Sequence, residues 1–82
     1  MSQKGKLNVK IYPNPAKDNL TIDLGEADNM TIRLVDILGK EVAVKNGQSG
    51  QVVFNLSNLP TGVYFAEIKA KGSTVREKIV KN

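Results

Sequence analysis

The stretch that decides the fold is Leu59-Pro60-Thr61-Gly62-Val63-Tyr64-Phe65-Ala66-Glu67-Ile68-Lys69-Ala70, in which a turn passes directly into an alternating run. After the turn, apolar residues such as Tyr64, Ala66 and Ile68 occupy every second position. That period of two places them on one face of a β-strand. Because Gly62 permits an unusual φ, Tyr64 is predicted to enter the strand with its ring buried and its hydroxyl bonded to upstream backbone, as in a tyrosine corner.

The same alternation recurs along most of the chain and predicts short strands rather than helices. Turn residues separate the runs, among them Pro13-Asn14-Pro15, which interrupts strand pairing, and Asn46-Gly47, which favours a tight turn. Short strands with turns every roughly 8–12 residues are typical of an antiparallel β-sandwich. We count seven candidate strands, at residues 7–12, 18–24, 30–36, 40–45, 51–56, 63–71 and 74–80.

Length and composition set limits on organisation and chemistry. With 82 residues the chain predicts one domain, at residues 7–82, preceded by a flexible lead-in or excision remnant at residues 1–6. Because Cys and His are absent, zinc fingers, iron–sulfur clusters, haem ligation and Ser–His or Cys–His nucleophiles are excluded. No calcium-loop pattern and no concave acid–base site is evident, so we expect no enzyme, metal or cofactor. No apolar run is long enough to span a membrane, and no signal peptide is evident.

The net charge of +4 is unevenly distributed along the chain. Residues 1–17 carry four bases and no acid, residues 18–68 carry three bases and seven acids, and residues 69–82 carry five bases and one acid. These segments therefore contribute +4, −4 and +4. Nucleic-acid binding is not predicted, because no aromatic cluster accompanies the basic residues. If the first and last strands are neighbours, Lys10, Lys17, Arg76 and Lys78 are expected to share one basic edge.

The terminal segment Val75-Arg76-Glu77-Lys78-Ile79-Val80-Lys81-Asn82 has two interpretations. It is either a solvated edge strand whose charges block aggregation, or a basic tail that a partner recognises by adding a strand. Near the other end of the chain, Asn14 precedes a proline, so it is pushed toward extended backbone, and its amide is expected to cap backbone close by.

Four segments, taken in order, resemble one known family. They are Val9-Lys10-Ile11-Tyr12-Pro13-Asn14-Pro15-Ala16, Asp36-Ile37-Leu38-Gly39-Lys40-Glu41-Val42, Leu59-Pro60-Thr61-Gly62-Val63-Tyr64 and Glu77-Lys78-Ile79-Val80-Lys81. Together they resemble the type A class of C-terminal sorting domains of the type IX secretion system of Bacteroidetes, over residues 7–82. The resemblance implies an immunoglobulin-like sandwich of seven strands, in agreement with the strand count.

The resemblance also implies a function without catalysis. Such a domain directs a fused N-terminal passenger from the periplasm through an outer-membrane translocon to the cell surface or the medium. A sortase-like cysteine protease commonly cuts the linker before the domain, although residues 1–6 are too short to place a cleavage site. The residues that match the family's sorting motifs are Pro13, Asn14, Pro15, Gly62, Tyr64, Lys78, Ile79, Val80 and Lys81.

Two other functions remain open at this stage. A carbohydrate-binding or adhesion sandwich would display aromatic side chains, and Tyr12 and Phe65 are the aromatics expected to be free for that role. A spacer similar to a fibronectin type III domain would also contain the Leu59–Tyr64 corner.

Overall fold

The strands of the computed structural model begin and end close to the predicted positions, and the structure describes residues 8–70 and 72–82. Described residues form no helix, so the prediction of an all-β fold is confirmed. The predicted lead-in at residues 1–6 lies outside the described residues. The seven strands are β1 (Lys10–Tyr12), β2 (Asn19–Asp23), β3 (Met30–Asp36), β4 (Glu41–Gln48), β5 (Gln51–Asn55), β6 (Gly62–Ala70) and β7 (Ser73–Lys81).

The strands form two antiparallel sheets. One sheet has three strands in the order β1-β2-β5, and the other has four in the order β4-β3-β6-β7. Each sheet contributes alternate side chains to one apolar core, which is the arrangement of the predicted immunoglobulin-like sandwich. The buried core cluster comprises Ala16, Leu20, Ile22, Leu24, Met30, Ile32, Leu34, Val52, Phe54, Leu56, Tyr64, Ala66, Ile68 and Ile79.

Two irregularities in the pairing of β3 with β4 correct the sequence analysis. Asn46-Gly47, predicted to be a turn, lies inside β4, and the pairing shifts register between Met30 and Ile32. Gly47 has φ +64°, so the extra residue is accommodated as a β-bulge. A second shift follows the Leu34–Ala43 pair and places Glu41 opposite Val35, so that Val42 is the extra residue on β4. Val44, predicted to lie on the core face with Val42, therefore points away from the core and is exposed.

A lysine connects the two sheets along one side of the sandwich. Lys45, on the edge strand β4, extends its Nζ to the carbonyl oxygen of Val53 on β5, at 2.8 Å. The same ammonium lies 5.1 Å from the centroid of the Phe54 ring. Because β4 and β5 are edge strands of different sheets, this contact joins the two sheets and places a charge at an edge, which disfavours pairing with another chain.

Candidate recognition surface

Four of the sequence segments singled out above meet at one end of the sandwich. The end of β3 lies beside the start of β6, with Asp36 paired to Tyr64. The start of β6 in turn lies beside the end of β7, with Gly62 paired to Lys81, and Ala16 forms an isolated parallel bridge to that same lysine. We call this region the motif end, and it consists of residues 13–16, 36–40, 59–64 and 78–82.

The described chain enters the sandwich at the opposite end. Lys10, the first residue of β1, pairs with Asp23 at the far end of β2. Beyond β2, the Leu24 amide donates to the carbonyl of Gly50, in the β4–β5 connection. The molecule measures 42 Å along its longest axis against 22 and 20 Å across. The chain therefore enters the sandwich at one end of the strands, and the motif end lies at the other.

The tyrosine corner predicted from Leu59–Tyr64 is present. Tyr64 is 6% exposed, and its hydroxyl donates to the carbonyl oxygen of Pro60, four residues upstream. Gly62 has φ +156°, a conformation that side-chain-bearing residues rarely adopt, and a Cβ at this position would meet nothing within 4 Å. Gly62 is therefore required for its backbone conformation and not for space, and Tyr64 anchors the start of β6 to the turn before it.

The Asn14 side chain fastens the start of the chain to its end. Its Nδ2 donates to the carbonyl of Lys78 at 3.0 Å, and its Oδ1 accepts from the Val80 amide at 3.1 Å. The amide thus imitates the donor and acceptor of a neighbouring strand. The amide therefore does cap backbone, and the partners that it caps are 64 and 66 residues away along the chain. The peptide bonds Tyr12–Pro13 and Asn14–Pro15 are both cis.

Ala16 continues the contact that Asn14 begins. Its amide donates to the Val80 carbonyl at 2.8 Å, and its carbonyl accepts from the Asn82 amide at 2.8 Å. β7 is an edge strand, as predicted, but the segment 14–16 covers the edge of its last residues. A partner can add a strand along residues 78–82 only after displacing that segment, which counts against the strand-addition interpretation for this part of β7.

The terminal residues predicted to form one motif point in different directions. Ile79 is buried opposite Tyr64, and Lys81, opposite Gly62, is only 9% exposed. Lys78 is exposed on the outer face opposite Phe65, and Val80 is half-buried on the same face. Two of these four residues therefore support the fold, and Lys78 is the most accessible to a partner.

The basic edge expected from neighbouring first and last strands does not form as predicted. The backbones are neighbours, since residues 14–16 pair with β7. Ile11, however, pairs with the buried Ile22 and points inward, so Lys10 points outward from the three-stranded sheet. Arg76 and Lys78 point outward from the four-stranded sheet, and these two outer faces are opposite sides of the sandwich.

The outer face of the four-stranded sheet carries paired charges. Arg33 donates from Nε to Glu41 at 3.0 Å and from Nη1 to Glu67 at 2.8 Å. The hydrogen bond to Glu41 is the main reason that the pKa of Arg33 is raised, with Glu67 adding to the effect. Arg76 lies 4.0 Å from Glu67 and stacks over the Phe65 ring at 4.4 Å.

The aromatic side chains do not form a common platform. Arg76 covers Phe65 on the outer face of the four-stranded sheet. Tyr12 is 43% exposed on the outer face of the three-stranded sheet, where its hydroxyl accepts a 3.3 Å hydrogen bond from Gln51. Because the two rings face opposite sides, the alternative of a carbohydrate-binding module loses the feature that motivated it.

The turn at residues 36–40 has a property that the sequence analysis missed. Asp36 Oδ1 accepts from the amides of Leu38 and Lys40, both at 2.9 Å, and this turn displays Ile37 at 69% and Leu38 at 87% exposure. A cavity of about 240 Å³ adjoins it, lined by residues 36–38 and 61–64. The sequence did contain a sign of this property, because two adjacent aliphatic residues stand in a turn, where polar residues are usual.

The described ranges contain neither a candidate metal site nor a membrane-spanning helix. Residues 8–70 and 72–82 contain no group of three or more acidic, Cys or His side chains that could hold a metal ion. The same residues include no helix that is long and apolar enough to cross a membrane.

The sequence matches a known family and is similar to proteins from two bacterial species. The sequence matches the family described as the secretion system C-terminal sorting domain over residues 10–82. It is 30% identical over 73 residues to an endo-acting ulvan lyase of Formosa agariphila, and 29% identical over 77 residues to an ulvan lyase of Nonlabens ulvanivorans. The matches cover 87% and 92% of this chain, which spans only 14% of the length of each relative.

Proposed function

The chain belongs to the family of type IX secretion C-terminal sorting domains, and from that premise we propose that residues 7–82 direct a fused N-terminal passenger across the outer membrane. As a member of that family it is a sorting signal for export to the cell surface or the medium. We propose further that the precursor passes through the periplasm and that the motif end is what the translocon binds.

The observation that carries this proposal is the convergence of four separate segments on the motif end. The residues involved come from positions as distant as Asn14 and Val80, yet a pair of hydrogen bonds holds these two together. The Tyr64 corner fixes the neighbouring turn, and the Asp36 turn adjoins it through a shared cavity. A binding partner therefore meets one preformed surface, which lowers the entropic cost of recognition.

The direction of the chain agrees with the same proposal. Because β1 starts at the end opposite the motif end, a passenger joined before residue 7 emerges away from the proposed binding surface. A translocon bound at the motif end then leaves the junction accessible, and a sortase-like cysteine protease can cut there. We propose this cleavage without assigning a cleavage residue, since the preceding linker lies outside the described residues.

The enzymatic activity named for the two relatives is not transferred to this chain. Both are named as ulvan lyases, but the match covers only 14% of each protein. Asp36 is the acid that lines the described cavity, and its Oδ1 already accepts two backbone amides. We therefore propose a domain without catalysis, whose passenger carries the activity.

A reporter fusion tests the proposal. A signal peptide, a stable reporter and the 82-residue chain are joined in that order and expressed in a Bacteroidetes host with the type IX system. The isogenic host without its outer-membrane translocon, and the reporter without the chain, serve as controls. We expect reporter outside the cell only when both chain and translocon are present. Periplasmic retention of the intact fusion in the complete host would contradict the proposal.

A further inference from the structure

The Asp36–Lys40 turn displays two large aliphatic side chains in a way that the fold does not need. Ile37 and Leu38 are adjacent and are the most exposed large hydrophobic residues among those described. Neither belongs to the core cluster. We infer that this turn and the adjoining cavity dock a partner protein that offers an apolar pocket with a carboxylate rim. The inference rests on the proposed sorting function and names the chemistry of the partner.

The turn holds these side chains in a fixed position. Besides the two hydrogen bonds to the Asp36 carboxylate, the Gly39 amide donates to the Asp36 carbonyl at 3.0 Å. The Asp36 amide donates to the Lys40 carbonyl at the same distance. Gly39 has φ +85°, which a glycine adopts without strain. Since the backbone is already ordered, little conformational entropy is lost when the exposed side chains are covered.

The cavity beside the turn is a small depression, open to solvent, next to the exposed pair. It encloses about 240 Å³ and is lined by Asp36, Ile37, Leu38, Thr61, Gly62, Val63 and Tyr64. Sites for small-molecule ligands usually enclose about 300–1,000 Å³. A space of this smaller size accepts one side chain. The surface thus combines a projection that enters a partner with a depression that receives one of its residues.

The charges at the motif end indicate an acidic rim. Lys40 is exposed in the turn itself, and Lys17 and Lys78 are exposed at the same end of the strands. The Asp36 carboxylate already accepts two backbone amides, and the exposed Glu41 carboxylate beside the turn is paired with Arg33. Asp18 is a further exposed acid at this end. Because bases predominate around the aliphatic pair, carboxylates around a partner's pocket give the complementary charge.

Two other occupants fit these observations less well. A bilayer is flat and fills no cavity, and binding in its interface generally uses a longer amphipathic surface than two side chains. A second copy in a two-fold contact would bring the same patch against itself, and therefore Lys40 close to its own counterpart. A protein with a pocket and acidic edges satisfies both the shape and the charge.

The test uses the reporter fusion with matched pairs of substitutions. Ile37→Ser/Leu38→Ser removes the displayed pair, and Val44→Ser/Val53→Ser removes two exposed aliphatic side chains elsewhere. We expect the first variant to lower the export rate at least about tenfold, the size of effect that interface anchors produce. The second variant should export as the unaltered chain does. Urea midpoints of the purified chains establish that both variants fold.

A charge series and a crosslink identify the chemistry of the partner. Lys40→Glu should slow export, and Lys40→Arg, which keeps the positive charge, should export at the rate of the unaltered chain. A photoreactive residue in place of Leu38 should crosslink to an outer-membrane component of the secretion system, at a peptide that contains Asp or Glu. Equal export of the folded Ile37/Leu38 variant and the unaltered chain would overturn the inference alone. Retention of the unaltered chain would contradict the proposed function and the inference with it.

Two measurements on the purified chain address the alternative occupants. Binding to phosphatidylglycerol vesicles that is lost in the Ile37/Leu38 variant would overturn the inference in favour of a lipid surface. Sedimentation equilibrium showing a dimer that the same variant abolishes would overturn it in favour of a second copy. We expect neither vesicle binding nor dimerisation at micromolar concentration.

Discussion

Replacing Asn14 by alanine tests how the start of the chain holds its end. The substitution removes a donor to the Lys78 carbonyl and an acceptor for the Val80 amide. A hydrogen bond contributes a net of about 0.5–1.5 kcal/mol, so two contribute about 1–3 kcal/mol. Both bonds are exposed, and water can replace the lost partners. We therefore expect the free energy of unfolding to fall by about 1 kcal/mol, the lower end of that range.

The assay is native-state hydrogen exchange, because it reports the effect at single amides. The Val80 amide, which loses its acceptor, should exchange about fivefold faster, the factor that corresponds to 1 kcal/mol. The Asn82 amide, which donates to Ala16 in the same contact, should follow it. The amide of the buried Ile32 in β3 should accelerate by no more than that factor, because it exchanges through larger openings in which the same two bonds are also lost.

Asn46→Ala is the matched control. Asn46 is exposed on β4, and its side chain makes no hydrogen bond to any residue that the structure describes. Val80 should exchange at the unaltered rate in this variant. Unchanged Val80 protection in Asn14→Ala would refute the reasoning.

Substitutions at three further positions can be compared in urea melts. Tyr64→Phe should lower the free energy of unfolding by about 0.5–1.5 kcal/mol through the lost hydrogen bond to Pro60. Tyr64→Ala should lower it by about 3–5 kcal/mol, because it leaves a cavity in the core. A loss under ~1 kcal/mol in the alanine variant would mean that the ring is not anchored. Gly62→Ala should cost about 1–3 kcal/mol through backbone conformation alone, and no cost would show that the turn relaxes. Lys45→Met should cost less than about 1 kcal/mol because its contact to Val53 is exposed, and a cost above ~2 kcal/mol would contradict that view.

The strands were predictable from sequence because alternation reports burial directly. Leu20 and Ile22 on β2 and Ala66 and Ile68 on β6 are all buried, as their period of two predicts. The tyrosine corner was predictable for a similar reason, since a glycine before a strand-entering tyrosine fixes a local geometry.

The errors come from places where pairing, not local sequence, decides the outcome. Asn46-Gly47 has the composition of a turn, but β3 continues to pair beyond it, so the residues form a bulge. The second register shift turned Val44 outward for the same reason. Long-range contacts were also out of reach, because no sequence pattern links the Asn14 amide to the backbone of β7.

The candidate site was predictable only as separate segments. Sequence resemblance indicated Pro13, Asn14, Pro15, Gly62, Tyr64 and residues 78–81, and their role in sorting stays a proposal. The sheet order shows why they belong together, since β3, β6 and β7 are consecutive neighbours and residues 14–16 continue the row. The display of Ile37 and Leu38 depends on side-chain capping by Asp36, which no residue pattern in the turn specifies.

A charge reversal at each end of the four-stranded sheet tests whether export depends on the motif end specifically. Lys78→Glu and Lys69→Glu make the same charge change at exposed positions on the same sheet, the first at the motif end and the second at the opposite end. The measurement is the fraction of reporter outside the cell for each fusion, with folding established by urea melts. We expect Lys78→Glu to lower this fraction and Lys69→Glu to leave it unchanged. Equal export of both folded variants, or equal retention of both, would contradict this expectation.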